Sequence, residues 1–251
     1  MPNLYRSISA AIAVSALAAP ALAQDDRVAP PAVAVTGAVT LASQYRFRGI
    51  SLSDERAALQ GTVNVNHRSG FYTGIWGSSL DGFGELGGSN LELDLYAGFR
   101  RALAPDVTVD AGLLYYAYPG SSGGDFEFFE PYANVTLTRG PVTAKLGIAW
   151  APPQDGLAND ANRYLFGDLA LAIPNTPIAL TGHLGNSHGR TPLTPSGDYL
   201  DWSLGATAAW RNFTLGVTYI DTSLDAAEAA SSGATRDIVD AAVLVSLTAT
   251  F

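Results

Sequence analysis

Residues 239–251 have the sequence VDAAVLVSLTATF, in which every second residue from Val239 is apolar and the last is Phe251. A helix would place its apolar residues three and four apart, whereas a period of two is typical of a β-strand with one apolar face. A soluble protein can also contain such a strand. The direction of the apolar face is therefore decided by the rest of the chain.

The same alternation recurs along the whole sequence. In residues 90–100, Leu91, Leu93 and Leu95 alternate with Glu92, Asp94 and Tyr96, a pattern that no helix would produce. Twelve segments share the pattern. Two are 90–100 and the last segment, 238–251, and the other ten are 39–48, 59–66, 71–78, 107–118, 126–138, 142–150, 163–173, 178–185, 199–210 and 213–220. Segment 71–78 alternates weakly.

The connections between these segments alternate in length. Tight turns are expected near Ser69, Pro105, Gly140, Asn175 and Arg211, and longer loops at 51–56, 80–89, 119–125, 151–162, 187–197 and 221–236. Short turns at one end and long loops at the other are typical of an outer-membrane barrel, whose strands need about 9–11 residues to cross the hydrocarbon. An open sheet edge in lipid would leave backbone groups unpaired, so the sheet must close.

These patterns predict an all-β fold: a transmembrane, antiparallel, up-and-down β-barrel of about twelve strands. The N-terminus has the features of a cleaved signal peptide over residues 1–23, with Arg6, an apolar run and a small-residue cleavage site. A short periplasmic leader is expected at 24–34 and the barrel at 35–251. The alternative is a soluble lipocalin-like barrel or sandwich, with its apolar face inward, which the alternating loop lengths disfavour.

The composition excludes several classes of protein. The chain has no cysteine, so a disulfide scaffold and a thiolate metal site are excluded. Without residues 1–23, 13 basic and 23 acidic residues remain, a net charge of −10 that argues against nucleic acid as a partner. No cofactor is predicted. Three scattered histidines do not have the spacing of metal ligands, and the acids Asp155, Asp160 and Asp225 are more typical of solvated loops than of a calcium site.

Aromatic residues on the apolar face fall near the strand ends and predict two girdles at the lipid–water interfaces. The outer girdle would contain Tyr45, Phe47, Tyr115, Phe129, Trp150, Trp202 and Tyr219, and the periplasmic girdle Phe71, Phe99, Trp210, Phe213 and Phe251. The expected partners are therefore outer-membrane lipids and lipopolysaccharide. Phe251 would also resemble the C-terminal signal that the barrel assembly machinery recognises.

Four motifs resemble those of the TorF-type porins, an uncharacterised bacterial outer-membrane family. They are YRFRGIS at 45–51, GFY at 70–72 with Gly74 and Trp76, ELDLY at 92–96 with Gly98, and DWSLG at 201–205. The resemblance covers essentially the whole mature chain and implies a Gram-negative outer-membrane barrel with a pore function. It carries over no functional residue.

The polar face, taken as the lumen, contains more acidic than basic residues. The basic ones are Arg46, Arg48, Arg100 and Lys145, and the acidic ones are Glu92, Asp94, Asp110, Glu130, Asp168, Asp201 and Asp240, a net charge of about −3. Unpaired acids in a narrow channel favour cations. Alternatively, Arg46 and Arg48 pair with acids across the lumen and leave little net field.

Eight aromatic residues should also point inward: Tyr72, Trp76, Tyr96, Tyr116, Tyr118, Tyr132, Tyr164 and Tyr199. They either narrow the bore, which is the more ordinary role, or form a track on which sugars and other small solutes stack. The glycine-rich loop 80–89 either folds inward as a constriction or stays outside. The residues predicted to line the pore are Tyr96, Tyr116 and all of the charged inward residues named above except Glu130.

Catalysis would require a nucleophile and a base within hydrogen-bond distance. His183 should point inward without an evident serine opposite. Ser187 and His188 are neighbours in sequence, but adjacent strand residues point to opposite faces. The sequence therefore predicts no enzyme. A lipid-modifying activity would depend on these three residues.

We therefore expect a channel for passive diffusion of small hydrophilic solutes, with a mild cation preference. One alternative is a structural or adhesive barrel whose outer loops bind a partner while the lumen is plugged. Another is passage of an apolar compound through a lateral opening, which the many polar inward residues disfavour.

Overall fold

A computed structural model describes residues 31–81, 86–194, 196–224 and 238–251. The barrel wall there consists of twelve strands: β1 (Val33–Ala42), β4 (Ala58–His67), β5 (Phe71–Ser79), β6 (Leu91–Ala104), β7 (Val107–Ala117), β8 (Phe128–Arg139), β9 (Val142–Ala151), β10 (Asn162–Ala172), β11 (Ile178–His188), β12 (Asp198–Trp210), β13 (Phe213–Thr222) and β14 (Ala242–Thr250). Two short strands, β2 (Arg46–Phe47) and β3 (Ile50–Ser51), form a separate sheet. The expected signal peptide lies outside the described residues. Within them, no helix has the length and apolarity of a membrane span.

The wall is a closed antiparallel barrel, as the sequence predicts. Each strand pairs with its neighbours in chain order, and β1 closes the ring by pairing with β14 on one side and β4 on the other. Val39 lies opposite Ala249 across this seam. Gly37 and Phe251 exchange two backbone hydrogen bonds of 2.8 and 3.0 Å, which extend the seam to the end of the chain.

Alternate residues of each strand face opposite sides of the wall. On β6, the Leu91 and Leu95 side chains are exposed on the outside, whereas Glu92, Asp94 and Tyr96 are buried on the inside. Most of the large exposed hydrophobic residues lie on the outer face in the same way. This is the reverse of a soluble protein and provides the apolar belt that a bilayer requires.

The two ends of the barrel differ. Short turns at 68–70, 105–106, 140–141, 173–177 and 211–212 lie at one end, here called the turn end. The longer connections and the β2–β3 hairpin lie at the other, called the loop end. Asn175 and Arg211 have positive φ angles of 62° and 53°, which suit tight reversals. Both ends of the barrel sequence, Val33 and Thr250, lie at the turn end.

The first predicted segment is wrong beyond Ala42. Residues 43–57, here called the inward loop, leave the wall and enter the barrel, so Tyr45 and Phe47 do not belong to an outer aromatic girdle. Their side chains are only 4% and 7% exposed. Alternation cannot reveal this departure, because it shows only which residues share a face. It does not show whether that face contacts lipid or the interior of the barrel.

The last strand also differs from the prediction. It begins at Ala242, and Val239 is buried with Ile238 instead of facing lipid. Both residues belong to a cluster with Tyr199 and Leu224, against which Ile50 of the inward loop packs. The apolar residues at the start of this segment thus help to hold the inward loop.

Candidate functional site

The inward loop reverses direction in a two-residue turn at Arg48-Gly49. Phe47 pairs with Ile50, and both central residues have positive φ angles, 48° and 84°. This is the backbone of a type I′ hairpin, in which glycine at the second position is favoured. A side chain at Gly49 would also meet Thr222 and Asp201. The turn therefore brings Arg48 against the opposite wall.

Arg48 is enclosed by groups from three wall strands. Its Nη2 donates to both carboxylate oxygens of Glu130 on β8, at 2.6 and 2.8 Å, and its Nη1 donates to Asn162 Oδ1 on β10 at 2.9 Å. The guanidinium lies 4.1 Å from the ring centre of Tyr164. Tyr199 on β12 donates its hydroxyl to the Arg48 carbonyl oxygen at 3.1 Å. Burial alone would lower the pKa of Arg48, but Glu130 reverses this and raises the pKa, so Arg48 stays charged.

Arg46 fixes the base of the same hairpin. Its Nη1 donates to the carbonyl oxygens of Gly49 and Asp240 at 2.9 and 2.7 Å, and its Nη2 donates to Glu55 at 3.1 Å. The sequence predicts that Asp240 is on the inward face of the last strand. In the structure it lies just before β14 and is exposed. Arg46 therefore acts on the loop itself, with Glu55 as its counter-charge.

A second network crosses the middle of the lumen. His183 Nδ1 lies 2.7 Å from Asp168 and its Nε2 lies 3.0 Å from Asp201. The Tyr164 hydroxyl donates to both oxygens of Asp201 at 3.0 Å, and Lys145 Nζ lies 3.4 Å from Asp168. Since Tyr164 also contacts Arg48, this network continues the one around the inward loop.

The turn half of the lumen has a further ion pair. Arg100 donates through Nε and Nη2 to one oxygen of Asp110, at 2.9 and 2.7 Å. Tyr72 donates its hydroxyl to the other oxygen at 2.5 Å and also contacts the Tyr132 hydroxyl. Arg100 and Lys145 have side chains 36% and 35% exposed, so this half of the lumen is accessible to water.

Glu92 and Asp94, at the loop end of β6, differ from the other inward acids. They are as buried as Glu130 and Asp201, with exposures of 0% and 1%, but no basic side chain among the described residues pairs with them. Glu92 Oε1 accepts a hydrogen bond from the Tyr45 hydroxyl at 3.2 Å, whereas Glu92 Oε2 and Asp94 Oδ1 have no partner among the described residues.

Several inward tyrosines lie along the wall instead of projecting across it. The rings of Tyr72, Tyr96 and Tyr132 cover the inward faces of Gly98, Gly74 and Gly112 on neighbouring strands. Any larger residue at these glycines would collide with a ring. The tyrosines therefore line the wall, and the inward loop occupies the centre.

The loop half of the lumen is filled. An open, water-filled bore would leave its lining accessible, but Tyr116, Glu130 and Asn162 are buried there together with Phe47. The connection 189–197 contributes Thr191 and Thr194, whose hydroxyls accept from Asn162. Leu157, from a short 3-10 helix (Asp155–Leu157), is buried in the same region. Loop 80–89 falls partly outside the described residues, although Leu80 and Ser89 are buried.

Two of the three histidines, His183 and His188, are engaged with carboxylates, and His67 contacts the Ser69 hydroxyl instead. His183 contacts Asp168, Asp201 and Tyr164, and the exposed His188 contacts Asp198 at 2.9 Å. Ser187 is buried and its hydroxyl contacts Thr194 at 2.8 Å. Ser187 and His188 thus point to opposite faces, as strand geometry requires.

Sequence reasoning placed the charged inward residues of the wall on the correct face but missed most of their partners. Asn162 and Tyr199 on the wall bind Arg48, and Glu55 pairs with Arg46 within the inward loop; none of these three partners carries a distinctive pattern in the sequence. The available signal was Gly49 after Arg48, which marks a turn within an otherwise alternating segment.

Comparisons with known proteins agree with this architecture. The KdgM porin superimposes with a TM-score of 0.58 and 10% identity, covering 86% of this chain and 99% of the porin. The NanC porin gives 0.55 and 12%, covering 87% and 99%. At these identities the likeness concerns the fold. No curated protein matches the sequence. The family model described as a bacterial protein of unknown function, Gcw_chp, matches residues 27–251, and the chain belongs to this family.

Proposed function

We propose that this protein is an outer-membrane channel for passive diffusion of small hydrophilic solutes, with a mild preference for cations. The proposal includes the narrower assignment to the TorF-type porins and export by a signal peptide at 1–23. The observation that carries it is a closed twelve-strand barrel with an apolar outer face and a charged, polar interior. Two solved porins share this fold over nearly their whole length.

The inward loop sets the condition for conduction. Because it fills the loop half of the lumen, solutes pass only when residues 43–57 move aside. The turn half, with Arg100 and Lys145, serves as an open vestibule. The expected channel is therefore mostly closed and opens in brief events.

The cation preference depends on which charges are paired. Arg48 is neutralised by Glu130, Arg100 by Asp110 and Lys145 by Asp168. Glu92 and Asp94 have no such counter-charge among the described residues. These two acids, exposed to the bore when the inward loop moves, would attract cations.

The second candidate is a plugged structural or adhesive barrel. It is favoured by the number of contacts that hold Arg48, since a loop anchored to three wall strands is costly to move. A barrel of this kind would present its outer loops to a partner and admit no solute.

Planar-bilayer recordings and liposome swelling separate the two candidates. We would compare the refolded protein with a variant in which residues 44–56 are replaced by a short Gly-Ser linker, keeping the seam contact of Ser43 with Val245. The channel proposal expects brief openings from the natural protein and larger, longer openings from the variant, together with sugar uptake. If neither protein conducts, the plugged barrel is the better description.

A further inference from the structure

We infer that Glu92 and Asp94 bind a calcium-like divalent cation beneath the inward loop. The two residues are next but one on β6, so their carboxyl groups lie on the same inward face, close enough to interact. Both are fully buried. The site uses the same two acids that the proposed function places beside the open bore, but it exists in the closed barrel and requires no conduction.

The first argument is the local charge. A buried carboxylate is costly unless a hydrogen-bond donor or a cation compensates it. In the loop half of the lumen, two guanidinium groups are enclosed, and Arg46 is already paired with Glu55. Since Glu130 holds Arg48 in a two-oxygen contact, the charges of Glu92 and Asp94 are left without a basic partner among the described residues.

The second argument is the pair of unsatisfied oxygens. Glu92 Oε2 and Asp94 Oδ1 are both buried, and the described part of the chain offers them no hydrogen-bond donor except a proton shared between the two carboxyl groups. Native structures satisfy nearly all such atoms, so these two carboxyl groups require a positive partner, either that shared proton or the cation proposed here. Carboxylate oxygens are the ligands that hard divalent cations prefer.

The surroundings favour calcium over magnesium. Calcium accepts irregular sets of oxygen ligands, whereas magnesium requires a near-ideal octahedron. Tyr45 Oη already binds Glu92, and Ser78 lies opposite Glu92 on β5, so hydroxyl oxygens are at hand. No group of three or more His, Cys, Asp or Glu side chains suited to a metal occurs among the described residues. Hydroxyl, backbone or water oxygens must therefore complete the coordination.

Cation binding would be linked to the position of the inward loop. Tyr45 belongs to that loop, its hydroxyl donates to Glu92, and its ring lies 5.3 Å from that of Trp76 on β5. A cation that neutralises Glu92 and Asp94 removes their repulsion and keeps the Tyr45 contact in place. Because binding to one state stabilises that state, calcium should favour the closed loop.

Terbium luminescence tests the site directly. Tb³⁺ replaces Ca²⁺ at oxygen sites and is excited through nearby aromatic rings, here Tyr45, Trp76 and Tyr116. The refolded full chain, first treated with a chelator, should give a saturable signal that Ca²⁺ displaces. The E92Q/D94N variant, and E92Q alone, should lose at least about tenfold in affinity. The D155N/D160N variant removes the same charge from an outer loop and should bind as the natural protein does.

Thermal unfolding gives a second measurement on the same proteins. The natural protein should become more stable when Ca²⁺ is added after chelation, and E92Q/D94N should show no such change. Equal Tb³⁺ affinity in the natural protein and E92Q/D94N would overturn the inference. So would a natural protein whose stability does not respond to Ca²⁺, because the two acids would then be neutralised by protons. Neither outcome depends on whether the barrel conducts.

Discussion

Arg48 combines three kinds of contact in one side chain: a two-oxygen ion pair with Glu130, a hydrogen bond to Asn162 and a cation–π contact with Tyr164. Each compensates part of the cost of burying a guanidinium. Together they fix the position of the hairpin, because Arg48 lies at its tip and the partners lie on β8 and β10 of the wall. Arg48 therefore determines where the inward loop rests.

Replacing Arg48 with methionine should destabilise the protein by about 3–5 kcal/mol, because Glu130 would stay buried without its cation. The R48M/E130M double variant should lose less than the sum of the two single variants, since it removes both charges. Urea unfolding in detergent micelles, followed by tryptophan fluorescence, measures these differences.

The control for this prediction is R101M. Arg101 is exposed on β6, and surface substitutions usually change stability by no more than about 0.5 kcal/mol. If R48M and R101M unfold at the same urea concentration, Arg48 does not anchor the inward loop.

At the level of elements, the seam between β1 and β14 closes the wall with the help of Phe251. The backbone of Phe251 exchanges hydrogen bonds with Gly37, and its ring lies over that glycine on the outer face. The side chain is 73% exposed and available to another molecule during assembly. The role of Phe251 as an assembly signal stays a prediction.

The F251S variant separates these two roles, because it keeps the backbone bonds and removes the ring. We expect severalfold less F251S than natural protein in the outer membrane, with unchanged single-channel conductance of the molecules that assemble. Quantitative immunoblotting of membrane fractions measures the amount, and F251Y is the control that keeps an aromatic ring. Normal levels of F251S would mean that the ring has no role in assembly.

The strands themselves were largely predictable from the sequence. Alternation locates the wall strands because lipid on one side and a polar interior on the other impose a period of two. Residues 71–78 alternate weakly for a physical reason: Gly74 and Gly77 occupy positions against which Tyr96 and Leu93 of β6 lie. The sequence also predicted the position of each short turn.

The inward loop was not predictable by the same means. Tyr45, Phe47 and Val239 continue the alternation of the strands beside them, but they are buried inside the barrel. Periodicity records which residues share a face and not what that face contacts. The partners of Arg48 come from residues 82 to 151 positions away in sequence, and no local pattern joins them.

At the level of the whole molecule, the lumen is divided along its axis. Ion pairs with partly exposed side chains occupy the turn half, and buried side chains gathered around the inward loop occupy the loop half. Between them lies the network of His183 with Asp168 and Asp201. A charge that is paired in the wall contributes little to the field in the bore, so ion selectivity should depend on the acids that the inward loop covers.

Ion selectivity is therefore best measured in the variant with residues 44–56 replaced, where Glu92 and Asp94 would face the open bore. We would measure the reversal potential in a potassium chloride gradient, with a chelator present to remove divalent cations. We expect the sign that results when potassium permeates more readily than chloride. Adding E92Q/D94N to this variant should reduce that potential by at least about half, because the uncompensated charge is removed. D155N/D160N in the same background is the control and should leave it unchanged. An anion-selective channel, or a potential that E92Q/D94N does not alter, would contradict the assignment of cation preference to these two acids.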